Sequence, residues 1–188
     1  MIIGLTGYAQ SGKDTVAKIL VENYGYTRVA FADKIREFLY DMNPMVDNVA
    51  FEPIFLKDRV DRDGWEVAKK NPHIRRALQN AGVSARKVFG EDFWVNEVFK
   101  NIDPADNIVI TDVRFTNEAE AIKLITKFTG QPSQIWRIKR LGVDAVNAHV
   151  SESQMDDYPV DQIFTNNGSI EDLELMIKTR MQGVLSHG

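Results

Sequence analysis

Ile2-Ile3-Gly4-Leu5-Thr6-Gly7-Tyr8-Ala9-Gln10-Ser11-Gly12-Lys13-Asp14-Thr15 begins the chain one residue after Met1 and joins two hydrophobic patterns through a glycine-rich loop. Ile2, Ile3 and Leu5 form a continuous apolar run, the pattern of a strand buried on both faces, and the run ends at Thr6-Gly7. From Val16 the apolar residues return as Val16, Ile19, Leu20 and Tyr24, which is helical spacing, and Gly25 is placed to stop that helix. The start reads as strand, loop, helix.

Moving outward, strand and helix patterns continue to alternate. Arg28 to Phe31 reads as a short second strand, and Asp33 to Met42 as a helix. Pro44, Pro53, Gly64 and Pro72 interrupt Asn43 to Asn71, where loops and short helices are expected. His73 to Phe89 and Asp92 to Ile102 read as two helices joined near Gly90. Ile108-Val109-Ile110 is a buried strand ending in Thr111-Asp112, Asn117 to Phe128 returns to helical spacing, and Ile135 to Ile138 is a further strand. Gln162 to Thr165 gives a last strand and Asn167-Gly168 a turn. Ser169 with Asp172 then resembles a capping box opening a helix whose buried stripe is Ile170, Leu173, Ile177, Met181 and Val184. Strands alternating with helices imply right-handed crossovers and a parallel sheet covered on both faces, so the expected fold is an α/β three-layer sandwich.

Gly7 to Lys13 matches the P-loop pattern G-x-x-x-x-G-K-S/T up to its final position, where Asp14 stands and the hydroxyl follows at Thr15. The strand before it and the helix after it are the context that the motif requires. Glycines let the loop amides turn inward around phosphate oxygens, the helix adds its positive N-terminal end, and Lys13 supplies a point charge for the β and γ phosphates. Gly7, Ala9, Gln10, Ser11, Gly12, Lys13, Asp14 and Thr15 are therefore candidates to bind a nucleoside triphosphate. Asp14 has two readings: it ligates magnesium or holds the ion's water shell, with Thr15 on a phosphate oxygen, or it is a first-turn acid favoured by the helix dipole. Asp112 ends a buried strand and has two readings: ligands of open α/β sheets collect at that edge, so it would face magnesium and phosphates, or it is a structural acid of the kind common at the ends of buried strands.

Composition bounds the rest. At 188 residues the chain suits one domain with an inserted arm or lid, and 44% apolar with 27% charged residues is enough for a sizeable core. A formal net charge of −4 argues against coating nucleic acid or an anionic membrane, and stable nucleic-acid binding is not expected. The chain has no Cys, which removes disulfides, cysteine-ligated metals and thiol chemistry. There is neither a secretory leader pattern nor an apolar run near the roughly 20 residues of a span, so a cytoplasmic location is expected.

Arginines are spread along the chain, among them Arg36, Arg76, Arg86, Arg114, Arg137 and Arg140. On a continuous helix from His73 to Phe89, Arg76, Gln79 and Arg86 fall within about 80° of arc. Two guanidiniums beside an amide suit an acceptor bearing both a phosphate and a hydrogen-bonding base, although a solvated helix face has the same pattern.

Gly12-Lys13-Asp14-Thr15, Phe31-Ala32-Asp33 with Arg36, Leu78-Gln79 with Gly82 and Arg86, Asp92-Phe93-Trp94, Thr111-Asp112-Val113-Arg114-Phe115 with Asn117-Glu118, His149 with Ser151-Glu152, and Asn166-Asn167-Gly168 occur in that order. The ordered set resembles the phage-type deoxynucleoside monophosphate kinases, from the first strand to the final helix. The resemblance implies a nucleoside monophosphate kinase-like fold, ATP as phosphoryl donor, Mg2+, and a deoxynucleoside monophosphate as acceptor. It makes residues 43–92 an acceptor-binding arm and 140–159 a lid. Lys13, Asp112, Arg114 and Arg140 would then be catalytic, with Asp14 and Asp112 near the metal and Arg137 beside the donor. Asp33, Arg36, Arg76, Gln79, Arg86 and Trp94 would serve the acceptor. Several roles stay double: Asp33 binds sugar or a metal-bound water, or caps a helix; Asn166-Asn167-Gly168 approaches the donor adenine or is a plain turn; Trp94 and Phe115 stack on a base or fill the core. His149, Ser151 and Glu152 would make a lid contact. The expected partners are small-molecule nucleotides, a homodimer is compatible with the chain, and a phage-encoded chain would work in the host cytoplasm. The rival readings are another small-molecule P-loop kinase, resembling dephospho-coenzyme A kinase or phosphomevalonate kinase, and a nucleotide-binding regulatory module or slow nucleotide hydrolase.

Overall fold

In the computed structural model, which describes residues 1–49, 52–100, 102–103, 105–143 and 154–185, Ile2–Thr6 forms β1 at the centre of a parallel sheet. Its neighbours are β5 (Ile108–Ile110) on one side and β6 (Ser133–Lys139) on the other, with β2 (Thr27–Val29) outside β5 and β7 (Gln162–Thr165) outside β6. Gly4 pairs with Ile110 and with Ile135, and every pairing in this sheet is parallel. Backbone contacts divide the chain into two compact units, Met1–Ala30 with Ile102–Gly188, and Phe31–Asn101.

In the first unit, successive side chains of β1 serve opposite faces, as a strand's period of two requires. Ile3 and Leu5 join Val16 and Leu20 of α1 (Lys13–Tyr24) and Leu173, Ile177 and Met181 of α8 (Ile170–Leu185) in one core. Each fully buried Leu or Ile there contributes about 1.5–3 kcal/mol. The other face is closed by α7 (Thr116–Thr129), which approaches closely because β1 carries a glycine: a Cβ on Gly4 would lie 2.8 Å from Cδ1 of Ile122. The sheet with helices on both faces is the three-layer sandwich that the alternating pattern implies. Tyr26 is 4% exposed in the first core, and burial pushes its phenol up to about 12, so it stays neutral at ordinary pH.

Helix ends follow local chemistry. Gly25 closes α1 at φ +68° with its N–H on the Leu20 carbonyl. The capping box before α8 is reciprocal: Ser169 N–H donates to Asp172 Oδ2 at 2.9 Å, and Asp172 N–H to Ser169 Oγ at 3.2 Å.

The second unit holds α2 (Phe31–Met42), a hairpin of β3 (Met45–Val49) and β4 (Glu52–Phe55), α3 (Leu56–Asp63), the single turn α4 (Trp65–Ala68), α5 (Pro72–Phe89) and α6 (Phe93–Phe99). Leu39, Val46, Leu56, Val60, Ala68 and Ile74 form its core. Asn71 caps α5, accepting the N–H groups of His73 at 2.8 Å and Ile74 at 3.4 Å, with Pro72 at the first helical position.

Three expectations are corrected here. The second strand stops at Val29 and Phe31 already starts α2; Phe31 is 3% exposed, edge-on to Phe99 at 6.3 Å, so packing draws it into the helix. Asp33 consequently lies within the first turn of α2. The region 43–71 contains a hairpin as well as short helices; Pro53 reads as a breaker, yet both strands of a two-stranded ribbon are edges, where proline is tolerated. The helix from Asp92 ends at Phe99.

Trp94 of α6 is 4% exposed, meets Phe38 and Phe93 edge-on at 6.1 and 4.9 Å, and donates its indole N–H to the Gly82 carbonyl at 3.0 Å. It fills the core of this unit rather than offering a face to a base. Trp94→Phe is expected to lower unfolding free energy by about 1–2 kcal/mol through the lost hydrogen bond and volume, read as a shifted urea midpoint. Among the described residues no helix is long and apolar enough to cross a membrane.

Candidate functional site

β1 is the point where the connections of the sheet diverge, β5 lying to one side and β6 to the other, and the loop after it occupies the carboxyl edge where such sheets bind ligands. The loop's path depends on residues that accept unusual backbone angles or close neighbours. Gly7 has φ +137°, and a Cβ there would lie 2.3 Å from the carbonyl oxygen of Ile138 in β6. Gln10 sits at φ +65° and Gly12 at φ +107°. Gly12 leads into α1, where Val16 N–H returns to its carbonyl at 3.0 Å.

Two side chains of the loop are informative. Lys13 Nζ donates to the carbonyls of Gly7 at 2.6 Å and Tyr8 at 2.8 Å, which places a cation inside the rim of the loop. Ser11 is 1% exposed, and its hydroxyl is buried without a hydrogen-bond partner among the described residues. A buried orphan hydroxyl carries a desolvation cost that a ligand oxygen would relieve.

The loop opens on a cavity of about 470 Å³ lined by Gly7, Tyr8, Ala9, Ser11 and Lys13, by Val113 and Arg114 after β5, by Arg137 to Val143, and by Met155 and Asp156. That volume lies in the range of small-molecule sites. Among the described residues, Lys13, Arg114, Arg137, Lys139 and Arg140 are five cations on its wall against the single carboxylate of Asp156. The chain's overall negative charge thus coexists with a cationic cavity suited to a polyanion.

Each cation is held differently. Arg114 is exposed, and the turn carrying it is held by Glu118, which is 4% exposed and accepts the N–H groups of Arg114 at 2.8 Å and Phe115 at 3.0 Å. Arg137 lines the cavity and is also tied to the main chain. Its guanidinium donates to the carbonyls of Asp156 at 3.0 Å, Tyr158 at 2.9 Å and Met155. It therefore anchors the backbone of residues 155–158 beside the loop. Tyr8 adds a second tie, its hydroxyl donating to Asp156 Oδ2 at 2.8 Å. Asn167 Oδ1 accepts the Leu141 N–H at 2.7 Å, which pins the start of the segment after Arg140.

Of the residues singled out from the sequence, Gly7, Ala9, Ser11, Lys13, Arg114, Arg137 and Arg140 come together at this cavity. Gln10, Gly12, Asp14, Thr15, Asp112, Asn167 and Gly168 are not among its lining residues. Asp14 is an exposed first-turn residue of α1, and Asp112 is half-buried just beyond β5. In the second unit, Arg76 and Gln79 are exposed and Arg86 half-buried on the side of α5 away from buried Ile74 and Ala85. Arg36 pairs with Asp33 at 3.1 Å within α2. His149, Ser151 and Glu152 lie outside the described residues, as does the middle of 140–159.

Tyr8, Glu118, Lys139, Asp156 and the side chain of Asn166 were not assigned to the site from the sequence. Lys139 was detectable, since Arg137 and Lys139 share one face of β6 by the strand period. Glu118 three residues after the residue preceding α7 follows the capping pattern. Tyr8 and Asp156 carry no sequence signal, because their partnership is tertiary.

No protein-family model matches the chain. A protein of Acanthamoeba polyphaga mimivirus, provisionally named a deoxynucleotide monophosphate kinase, is 26% identical over 188 aligned positions covering 92% of this chain and 91% of that protein. Among solved structures, a mutant of the Mycobacterium tuberculosis APS kinase CysC aligns with a TM-score of 0.46 at 12% identity, covering 96% of both chains. Shikimate kinase from Aquifex aeolicus aligns at 0.46 and 13%, covering 100% of both. Dephospho-CoA kinase from Campylobacter jejuni aligns at 0.43 and 14%, covering 97% of this chain and 96% of that one. At these TM-scores the likeness adds nothing to what the sheet order and the loop show by themselves. The chain is a three-layer α/β sandwich with a glycine-rich loop of P-loop sequence at the switch point of its parallel sheet.

Proposed function

We propose that this chain is a P-loop kinase that transfers the γ-phosphoryl group of ATP to a deoxynucleoside monophosphate, giving a deoxynucleoside diphosphate and ADP. The observation that carries the reading is the cavity at the loop, where five cations and an unpartnered Ser11 hydroxyl converge. The acceptor class is supported by the name of the mimivirus relative and by the Arg76, Gln79 and Arg86 face of α5.

Phosphoryl transfer asks a protein mainly for positioning and charge neutralisation. The loop amides and Ser11 hold the donor phosphates, and Lys13 exchanges its bonds to loop carbonyls for phosphate oxygens. Arg114 and Arg140 stabilise the charge on the transferring group. An oxygen of the acceptor phosphate forms the new bond to the γ-phosphorus as the bond to the β,γ-bridging oxygen breaks, and ADP leaves. The attacking oxygen is already anionic, so no general base is needed. Arg137 and Tyr8 keep residues 155–158 against the loop. The acceptor arm lies within the second unit, and the lid is the segment from Arg140 to Pro159.

Magnesium takes one or two carboxylates and completes its shell with phosphate oxygens and water. Asp112 and Asp14 are the carboxylates that would hold it in this reading, and among the described residues no larger group of acidic or histidine side chains would make a protein-only cage. Bound there with the donor, Mg2+ would supply neutralisation of phosphate charge.

A coupled assay of ADP release with ATP-Mg and a panel of dNMPs, NMPs and hydroxyl acceptors tests the reading. Turnover is expected with at least one deoxynucleoside monophosphate. Release driven only by a hydroxyl acceptor, or independent of any acceptor, would replace the reading with the rival kinases or a hydrolase. Arg76→Ala is expected to raise the monophosphate KM about tenfold and leave the ATP KM within twofold. Equal shifts in both constants would remove Arg76 from the acceptor site.

A further inference from the structure

One contact reaches the loop from a strand two places away in the sheet. Asn166, directly after β7, is 7% exposed, and its Nδ2 donates to the Ser11 carbonyl at 2.9 Å. Its own N–H donates to the Lys139 carbonyl at 2.7 Å, so the side chain is aimed from a fixed backbone position. A Cβ on Gly12 would lie 2.3 Å from Asn166 Nδ2. Glycine at position 12 therefore serves twice, accepting φ +107° and admitting the Asn166 amide.

The consequence follows from peptide geometry. In a trans peptide the carbonyl and the following N–H point in opposite directions. Drawing the Ser11 carbonyl toward Asn166 turns the Gly12 N–H away from Asn166. The same bond fixes the backbone that carries the buried, unpartnered Ser11 hydroxyl.

We propose that Asn166 is a positioning residue of the phosphate loop: by holding the Ser11 carbonyl it sets the Ser11–Gly12 peptide so that the Gly12 N–H and the Ser11 hydroxyl are presented to a phosphate. The inference rests on the phosphate-binding reading of the loop. It moves Asn166 from the base end of the donor to its phosphate end. The neighbouring Asn167 serves the segment after Arg140 instead.

Calorimetric titration of ATP and of inorganic tripolyphosphate into the wild type, Asn166→Leu and Asn166→Asp tests this. Both variants keep the branched shape; Leu removes the donor, and Asp replaces it with an acceptor facing a carbonyl. Asn166→Leu is expected to weaken both ligands by the same factor, about tenfold, since phosphates are what they share. Asn166→Asp is expected to weaken both further at neutral pH, with its deficit relative to wild type narrowing as pH falls and a protonated carboxyl regains a donor. A purely structural role would lower the melting temperature and leave both affinities at the wild-type value, overturning the proposal. Weakening of ATP alone would overturn it too, by placing Asn166 at the base. If Asn166→Leu does not fold, Asn166→Asp decides by the same two ligands. A wild type that binds neither polyphosphate would overturn the reading of the loop and this inference with it.

Discussion

Lys13→Ala is expected to lower kcat/KM for phosphoryl transfer by about a thousandfold or more while the protein remains folded. The ammonium stands at the mouth of the loop, bonded to the carbonyls of Gly7 and Tyr8. Those carbonyls line the cavity region and are within reach of water once the side chain is gone, so the stability loss should stay near 1–2 kcal/mol. In a chain of this size that is a melting temperature lower by several degrees. Charge developing on the transferring group has no such substitute, because neither Arg114 nor Arg140 is part of the loop. The check is single-turnover transfer measured beside a thermal melt. Transfer within tenfold of wild type would take the loop out of the mechanism, and loss of the melting transition would make the rate uninterpretable as chemistry.

Gly7→Ala should produce the largest loss of stability of any single methyl added to a glycine among the described residues. Two separate costs meet there: a φ of +137° that L side chains rarely adopt, and a Cβ only 2.3 Å from the Ile138 carbonyl oxygen, which belongs to a central strand and cannot swing aside. Backbone strain of about 1–2 kcal/mol and overpacking of about 1–3 kcal/mol together predict a loss of about 3 kcal/mol or more. Gly25→Ala is the control. It shares a positive φ, +68°, but has nothing within 4 Å, so only the strain remains, about 1 kcal/mol. Urea denaturation of the two variants separates conformational strain from collision. Equal midpoints would mean that β6 does not press on the loop.

Much of the site could be read from residue order because its physics is local. A strand buried on both faces, a glycine loop and a helix of period 3.6 are each written within a few residues, and β1, the loop and α1 stand where that reading places them. Ser169 and Asp172 are three residues apart, and the capping box they form needs nothing else. The hairpin of β3 and β4 escaped the same reasoning. Its two strands are short, one contains Pro53, and their pairing becomes favourable only when Val46 can bury itself in the core of the second unit. Trp94 was ambiguous for a related reason. An aromatic with an N–H suits a base or a core equally well, and only the Gly82 carbonyl and the Phe38 and Phe93 rings distinguish the two.

Chain order alone was enough for the alternation of strands and helices, the glycine loop between β1 and α1 and the supply of arginines, since each depends on residue type at short spacing. Which arginines share the cavity depended on the sheet order, which brings the end of β6 beside the loop. The fold also gave Arg137 three main-chain carbonyls to anchor. It brought Asn166 to a loop 155 positions earlier in the chain. Such pairings carry no local signature, because a buried hydrogen bond is specified by the position of the partner's backbone in space, and that position exists only once the sheet has assembled.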